Sequence, residues 1–247
     1  MGKDITGALA PRTARKARPQ SASAPRTRKP LALELVSFIE DKIITRELAP
    51  GTKLVEEELS EHYGISRTPL REALRLLETS SLVVRKPGYS VRVAPMTLDN
   101  LNHVFACRVP LEALAASMVA ALPPERRDAT VGELDQHLAH MASMLELGDI
   151  AAGFRANVAL TDILHRDCGN PVLAGLLAQL NKPALRYRHW AYLKQERMLP
   201  MAIETNAAMV EAIRRGDGAG AGAVTRDLVR GAWDLVRTNF AARREAA

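Results

Sequence analysis

The run Gly64-Ile65-Ser66-Arg67-Thr68-Pro69-Leu70-Arg71-Glu72-Ala73-Leu74 constrains this chain more than any other part of it. Read as a helix, it sets Arg67, Arg71 and Arg75 four residues apart on one stripe, while Leu70, Ala73 and Leu77 fall on another side and pack inward. Ser66 or Thr68 can cap the first turn, and Pro69 then sits where a missing N–H does no harm. A short helix that is apolar inward and carries guanidinium groups outward suits the DNA major groove, where arginine reaches phosphates or the O6/N7 edge of guanine. A charged stripe on its own describes a solvated helix face equally well, so its neighbours decide.

Upstream, Glu56 to Tyr63 reads as a short helix carrying Leu59, and Gly64 makes the turn between two helices. Downstream, Leu82-Val83-Val84-Arg85 and Ser90-Val91-Arg92-Val93 are β-prone runs flanking Lys86-Pro87-Gly88-Tyr89, a hairpin with a basic, glycine-containing tip. Ahead of these, Leu35, Ile39 and Ile43 mark a first helix that ends near Pro50-Gly51. The sum is a winged helix-turn-helix over residues 31–95.

With these residues in place the sequence resembles the GntR-type bacterial transcription regulators. The matching residues are Leu48-x-Pro50-Gly51-x-x-Leu54-x-Glu56-x-x-Leu59, the run from Gly64 to Glu78, and the wing. The resemblance implies DNA contacts from the recognition helix and the wing tip, carried here by Arg67, Thr68, Arg71 and Gly88. Arg75 continues the stripe and Lys86 adds charge at the tip. Some members of the family place a basic residue on the second helix where this chain has Glu57, so no phosphate contact is assigned there.

The 247 residues suffice for two domains, and a 47% apolar fraction supports folded cores. The net charge of +6 is unevenly spread. Residues 1–30 carry +7, whereas residues 31–95 carry −1. Within the winged domain residues 64–95 hold six basic and two acidic side chains, and residues 31–63 hold three and eight. A polarised domain is what groove docking requires. Residues 1–30, rich in Ala, Pro, Arg, Ser and Thr, read as a disordered basic tail, either a salt-sensitive DNA arm or an inert extension. Met1-Gly2-x-x-x-Thr6 matches a myristoylation pattern and the tail's composition resembles a transit peptide, but both require a eukaryotic setting. No run is read as long and apolar enough to cross a membrane. Two distant cysteines, Cys107 and Cys168, indicate neither a disulfide scaffold nor a metal knuckle, and a reducing cytoplasm is expected.

From residue 96 to about 243 the pattern is helical. Breaks at Pro123-Pro124, Gly148-Asp149, Gly169-Asn170-Pro171, Leu199-Pro200 and Gly216-Asp217-Gly218 divide it into about six helices of an antiparallel bundle. Pro110 lies inside the first, a position that can kink it. The fold class is therefore mostly α: an N-terminal winged helix-turn-helix with a small β-hairpin wing, then an all-α antiparallel bundle. The Gly216–Gly222 run has no preceding strand and reads as a helix connection rather than a phosphate loop.

This second part resembles the FCD effector domain of the FadR branch of the same family. The resemblance rests on Arg108-x-x-Leu111-Glu112, Cys168-Gly169-Asn170-Pro171-x-Leu173 and Glu211-Ala212-Ile213-Arg214-x-Gly216-Asp217. It implies a metal site made of one Asp and three His. The corresponding positions here are Asn157, Thr161, Asn206 and, to within one residue, Asp227, none of the expected ligand type. Neutral amide and hydroxyl oxygens bind Zn, Ni or Mn poorly, so no metal and no cofactor is expected. His137 and His140 share a helix face without a third ligand, and His165 is a pocket neighbour of Thr161. Arg108 suits bidentate capture of a carboxylate, or else an interhelical salt bridge.

The expected function is a homodimeric regulator of double-stranded operator DNA, modulated by a small organic acid held by Arg108, Asn157, Thr161, Asn206 and Asp227. Two alternatives remain at this stage. The bundle only dimerises, or the bundle is an enzyme, for which no Ser/His/Asp, Cys/His or metal-plus-base set is assembled.

Overall fold

The computed structural model describes residues 31–85 and 90–245. They form two units that divide between Pro95 and Met96.

The first unit runs α1 (Leu31–Ile44), β1 (Lys53–Leu54), α2 (Glu56–Tyr63), α3 (Arg67–Thr79), β2 (Val83–Val84) and β3 (Val91–Val93). Leu35, Ile39 and Ile43 of α1 pack with Leu59 of α2 and Leu70, Leu74 and Leu77 of α3. Each fully buried leucine contributes about 1.5–3 kcal/mol of transfer free energy. Helix α1 stops at Ile44, well before Pro50-Gly51. Arg46 turns left-handed at φ 66, and Leu48 N–H bonds back to Lys42 O at 2.9 Å, which carries Leu48 into the core.

Gly64 ends α2 at φ 62, a conformation without steric cost only for glycine, and its N–H reaches the carbonyls of Ser60 and Glu61. Ser60 Oγ closes the same turn on Ile65 O at 2.5 Å. Ser66 occupies the N-cap of α3 but makes no side-chain capping bond, and Thr68 already lies inside the helix. The strands pair antiparallel in the order β1-β3-β2, with Lys53 opposite Arg92 and Val83 opposite Val93. Val91 and Val93 face the core while Arg92 points out and donates to Gly51 O at 2.9 Å. Residues 86–89, with the expected wing contacts Lys86 and Gly88, lie outside the described residues, as do residues 1–30.

The second unit is a bundle of α4 (Leu98–Ala120), α5 (Pro124–Glu146), α6 (Ile150–Asp167), α7 (Pro171–Lys194), α8 (Met198–Arg214) and α9 (Gly218–Glu245). Short polar side chains cap three of these helices: Thr97 accepts from Asn100 N–H, Asp149 from Ala152 N–H, and Asn170 from the N–H groups of Val172 and Leu173. Leu199-Pro200 does not break the chain. It sits in the first turn of α8, where a proline's missing N–H has no helical partner to lose. The break falls just before, around Gln195 to Arg197. Helix α4 continues through Pro110.

Helix α4 is also long and apolar enough to cross a membrane by length and composition, contrary to the sequence reading. More than half of its most apolar 18-residue stretch is buried within the bundle, and the helix carries the charged pair Arg108 and Glu112. The glycine run begins with Gly216 at φ 69 closing α8, and then opens α9 against α4. A Cβ on Gly222 would lie 2.4 Å from Ser117 Oγ and 3.2 Å from Ala113 O, so glycine lets the two backbones approach.

Candidate DNA-reading face and effector cavity

On α3 the buried and exposed residues separate as the spacing requires. Leu70, Ala73, Leu74 and Leu77 are buried; Arg67, Thr68, Arg71 and Arg75 are exposed. The arginines are not all free. Arg67 Nη2 pairs with Glu57 Oε1, and Arg71 Nε donates to Glu56 Oε2 at 2.7 Å. Glu56 also stands 3.9 Å from Arg85, which lies 3.6 Å from Glu78. Sequence reading missed Glu56 and Glu57 as partners because they belong to α2. Their local reason is legible: Glu56, Glu57 and Glu58 form the first turn of α2, where negative charge meets the positive end of the helix dipole. Helix α3 has no acid in its own first turn and begins with Arg67, so Glu57 supplies the missing complement from outside.

In the bundle, Arg108, Asn157, Thr161 and Asn206 line one cavity, walled by α4, α6, α7, α8 and α9. About 60 Å³ of it is open to water, room for roughly four to six molecules. Asp227 is not among its walls. It lies exposed on α9, while Thr225 and Leu228 of the same helix face inward. The expected position is out by one or two residues, and on a helix one residue turns a side chain by about 100°.

Arg108 Nε and Nη2 both donate to Glu112 Oε1, at 3.1 and 2.5 Å. The RxxLE arginine is thus engaged one turn along its own helix rather than across helices. Glu112 Oε2 meets His165 Nε2 at 2.8 Å. Burial pushes the Glu112 carboxyl up, but the Arg108 charge and the His165 hydrogen bond more than offset it and leave the pKa at about 2. Glu112 is therefore an acceptor only, and His165 Nε2 carries the donated proton. His165 is buried behind this pair, not in the cavity wall.

A second hydrogen-bonded chain crosses the cavity. Asn206 Nδ2 donates to Asn157 Oδ1 at 3.0 Å, and Asn157 Nδ2 donates to Tyr192 Oη at 2.6 Å. Arg188 joins the wall, with Nη1 donating to Asn181 Oδ1 at 3.2 Å and Nη2 lying 3.5 Å from Thr161 Oγ1. Burial and the nearby Arg108 charge pull the Arg188 guanidinium down to about 10. Burial raises the Tyr192 hydroxyl to about 12, so it stays protonated.

Arg188, Tyr192 and Glu112 were absent from the sequence-level pocket. The signal for Arg188 was present. Ala184, Tyr187, Arg188 and Ala191 recur at three- and four-residue spacing, and an arginine on an apolar face is rarely left without a role.

These residues do not fit a transition metal. The Asn157 amide oxygen already accepts from Asn206, and two guanidinium groups line the same space, where a divalent cation would face like charge. Among the described residues there is no group of three or more His, Cys, Asp or Glu placed to hold a metal, and His137 and His140 gain no third ligand.

Comparison with known proteins follows the two units. Residues 31–93 match the family model of bacterial regulatory proteins, gntR family, and residues 103–231 match that of the FCD domain. The HTH-type transcriptional regulator YieP of Escherichia coli is 25% identical over 232 residues, 86% of this chain and 98% of that protein. YdhC of Bacillus subtilis, also an HTH-type transcriptional regulator, is 30% identical over 90 residues, only 36% of this chain and 40% of that protein. The structure of Escherichia coli McbR/YncC superposes with a TM-score of 0.72 at 21% identity, covering 85% of this chain and 98% of that one.

Proposed function

The chain belongs to the gntR family of bacterial regulatory proteins and carries its FCD domain, and from that premise we propose a homodimeric regulator whose operator affinity responds to a small organic acid in the bundle cavity. The family and the relatives are DNA-binding transcription regulators rather than enzymes, so the enzyme alternative falls away. Arg67, Thr68, Arg71 and Arg75 are the residues proposed to face operator DNA. Their support is their exposure on one stripe of a helix whose other side is fully buried. Two copies follow from groove geometry, since paired recognition helices must reach half-sites about one DNA turn apart. The regulator acts in the cytoplasm, with its DNA.

The observation that carries the effector reading is the cavity itself. It places two buried guanidinium groups and a hydrogen-bonded amide chain around space for a small molecule. A bundle that served only for dimerisation has no need of buried charge, which is costly unless it is used. Ligand binding would alter the relative placement of the two winged domains, and its effect on operator affinity equals its differential affinity for the two arrangements. The test is operator mapping with purified protein, then gel-shift titration with and without a panel of carboxylates at fixed salt. A carboxylate that shifts operator affinity supports the reading. A panel that leaves both thermal stability and operator affinity unchanged leaves dimerisation as the bundle's role.

A further inference from the structure

The cavity wall combines two chemistries. Five of its polar members, Arg188, Thr161, Asn157, Asn206 and Tyr192, are joined by hydrogen bonds into one connected set. Much of the remainder is apolar, and α8 alone supplies Met198, Met201, Ala202 and Met209. Methionines adapt their shape to what they touch, so this part of the wall accepts hydrocarbon of varied outline.

The charges in the wall do not balance. Arg108 and Glu112 neutralise one another as a buried pair. Arg188 is buried and, among the described residues, forms no ion pair; its polar partners are the neutral groups of Asn181 and Thr161. Glu112 and Asp162 are the carboxylates that act on it at longer range; Glu112 is already held by Arg108 and His165, and Asp162 accepts from Asn181 Nδ2 at 3.3 Å rather than from Arg188. One guanidinium in the wall therefore lacks a directly paired carboxylate, beside a polar cluster that both donates and accepts.

We propose that this cavity takes a monocarboxylate with a short apolar body, its carboxylate seated on Arg188 and its body against the α8 methionines, with Arg108 held by Glu112 as a neighbour rather than the clamp. A single negative charge completes the wall's balance. A second carboxylate would be placed against methionine without a partner, at the cost of desolvating an ion. The open volume admits acids of about three to six carbons. This rests on the effector reading of the same cavity and names the class of ligand and its anchor.

The experiment uses the full-length chain. Propanoate, butanoate and hexanoate are compared with succinate, citrate and the neutral butanamide by calorimetry and thermal shift, in wild type and in Arg188→Met and Arg188→Lys. We expect at least one monocarboxylate to bind about tenfold or more tighter than succinate, citrate or butanamide, and Arg188→Met to lose about tenfold or more. Arg188→Lys should retain part of the affinity, because it keeps the charge and loses the planar fork. Succinate or citrate binding as well as the monocarboxylates would overturn the ligand class while leaving an acid effector standing. Unchanged affinity in Arg188→Met would overturn the anchor. If no acid binds, the effector reading fails and this inference with it. The wild-type comparison reads the ligand class even if a variant fails to fold.

Discussion

Arg71 of the recognition helix donates through Nε to Glu56 of the preceding helix at 2.7 Å, and Arg67 is paired in the same way with the adjacent Glu57. The arginines proposed to meet DNA are thus in competition with carboxylates of their own domain. Exposed pairs of this kind contribute about 0–1 kcal/mol to folding, so a phosphate can displace them. Glu57→Gln should leave thermal stability nearly unchanged and raise affinity for non-operator DNA several-fold. It should also steepen the salt dependence by roughly 0.9 in log–log slope, the signature of one further phosphate contact. Equal slopes in variant and wild type would mean that Glu57 does not restrain Arg67.

Arg67→Ala and Arg71→Ala should each weaken operator binding, by roughly 5–150-fold if the guanidinium reads a base edge. Thermal melts and gel filtration should match wild type, because neither side chain is buried. Gel shifts at one salt concentration on operator and scrambled DNA separate base reading from phosphate contact. Retention of full operator affinity by both variants would remove α3 from the groove.

Gly64→Ala should destabilise the first unit by about 1 kcal/mol or more, since alanine is strained at φ 62 even though no atom lies within 4 Å of the added Cβ. Gly64→Asn should recover part of the loss, because asparagine tolerates the left-handed region. Denaturant melts of the three proteins give the order directly.

Glu112→Gln leaves Arg108 buried beside a neutral amide and should cost about 3–5 kcal/mol at neutral pH. The pH dependence has a defined sign. The folded pKa of Glu112 is depressed to about 2, against about 4.3 in the unfolded chain, so its contribution is full above that unfolded value and is lost as pH falls toward 2. The stability gap between wild type and variant should therefore shrink between about pH 5 and pH 3. A gap independent of pH over that range would show that Glu112 is not ionised in the fold.

Removal of residues 1–30 takes away a net charge of +7. Affinity for non-specific DNA should fall and its salt dependence should flatten, with the operator footprint unchanged. Identical salt slopes with and without these residues would show that the segment is no DNA arm.

The sequence by itself determined the elements whose causes are local. The winged half was legible because helix, Gly64 turn, arginine stripe and paired β-runs each have a short-range signature. The buried face of α3 follows from spacing alone, and the breaks at Gly148-Asp149 and Gly169-Asn170-Pro171 fall where α6 and α7 begin. Helix ends were less secure: α1 stops early because Leu48 is drawn into the core, and Leu199-Pro200 opens a helix it seemed to interrupt. Only the tertiary structure decided which polar groups meet. It turned Asp227 outward on α9 and Thr225 inward, engaged Arg108 with Glu112, and brought Arg188 from a charge-rich stretch of α7 into the cavity wall. It also placed Glu56 and Glu57 against Arg71 and Arg67. The physical reason is common to these cases. Spacing along a helix fixes which face a side chain occupies, but the partner it finds there belongs to another helix, and packing alone sets that pairing.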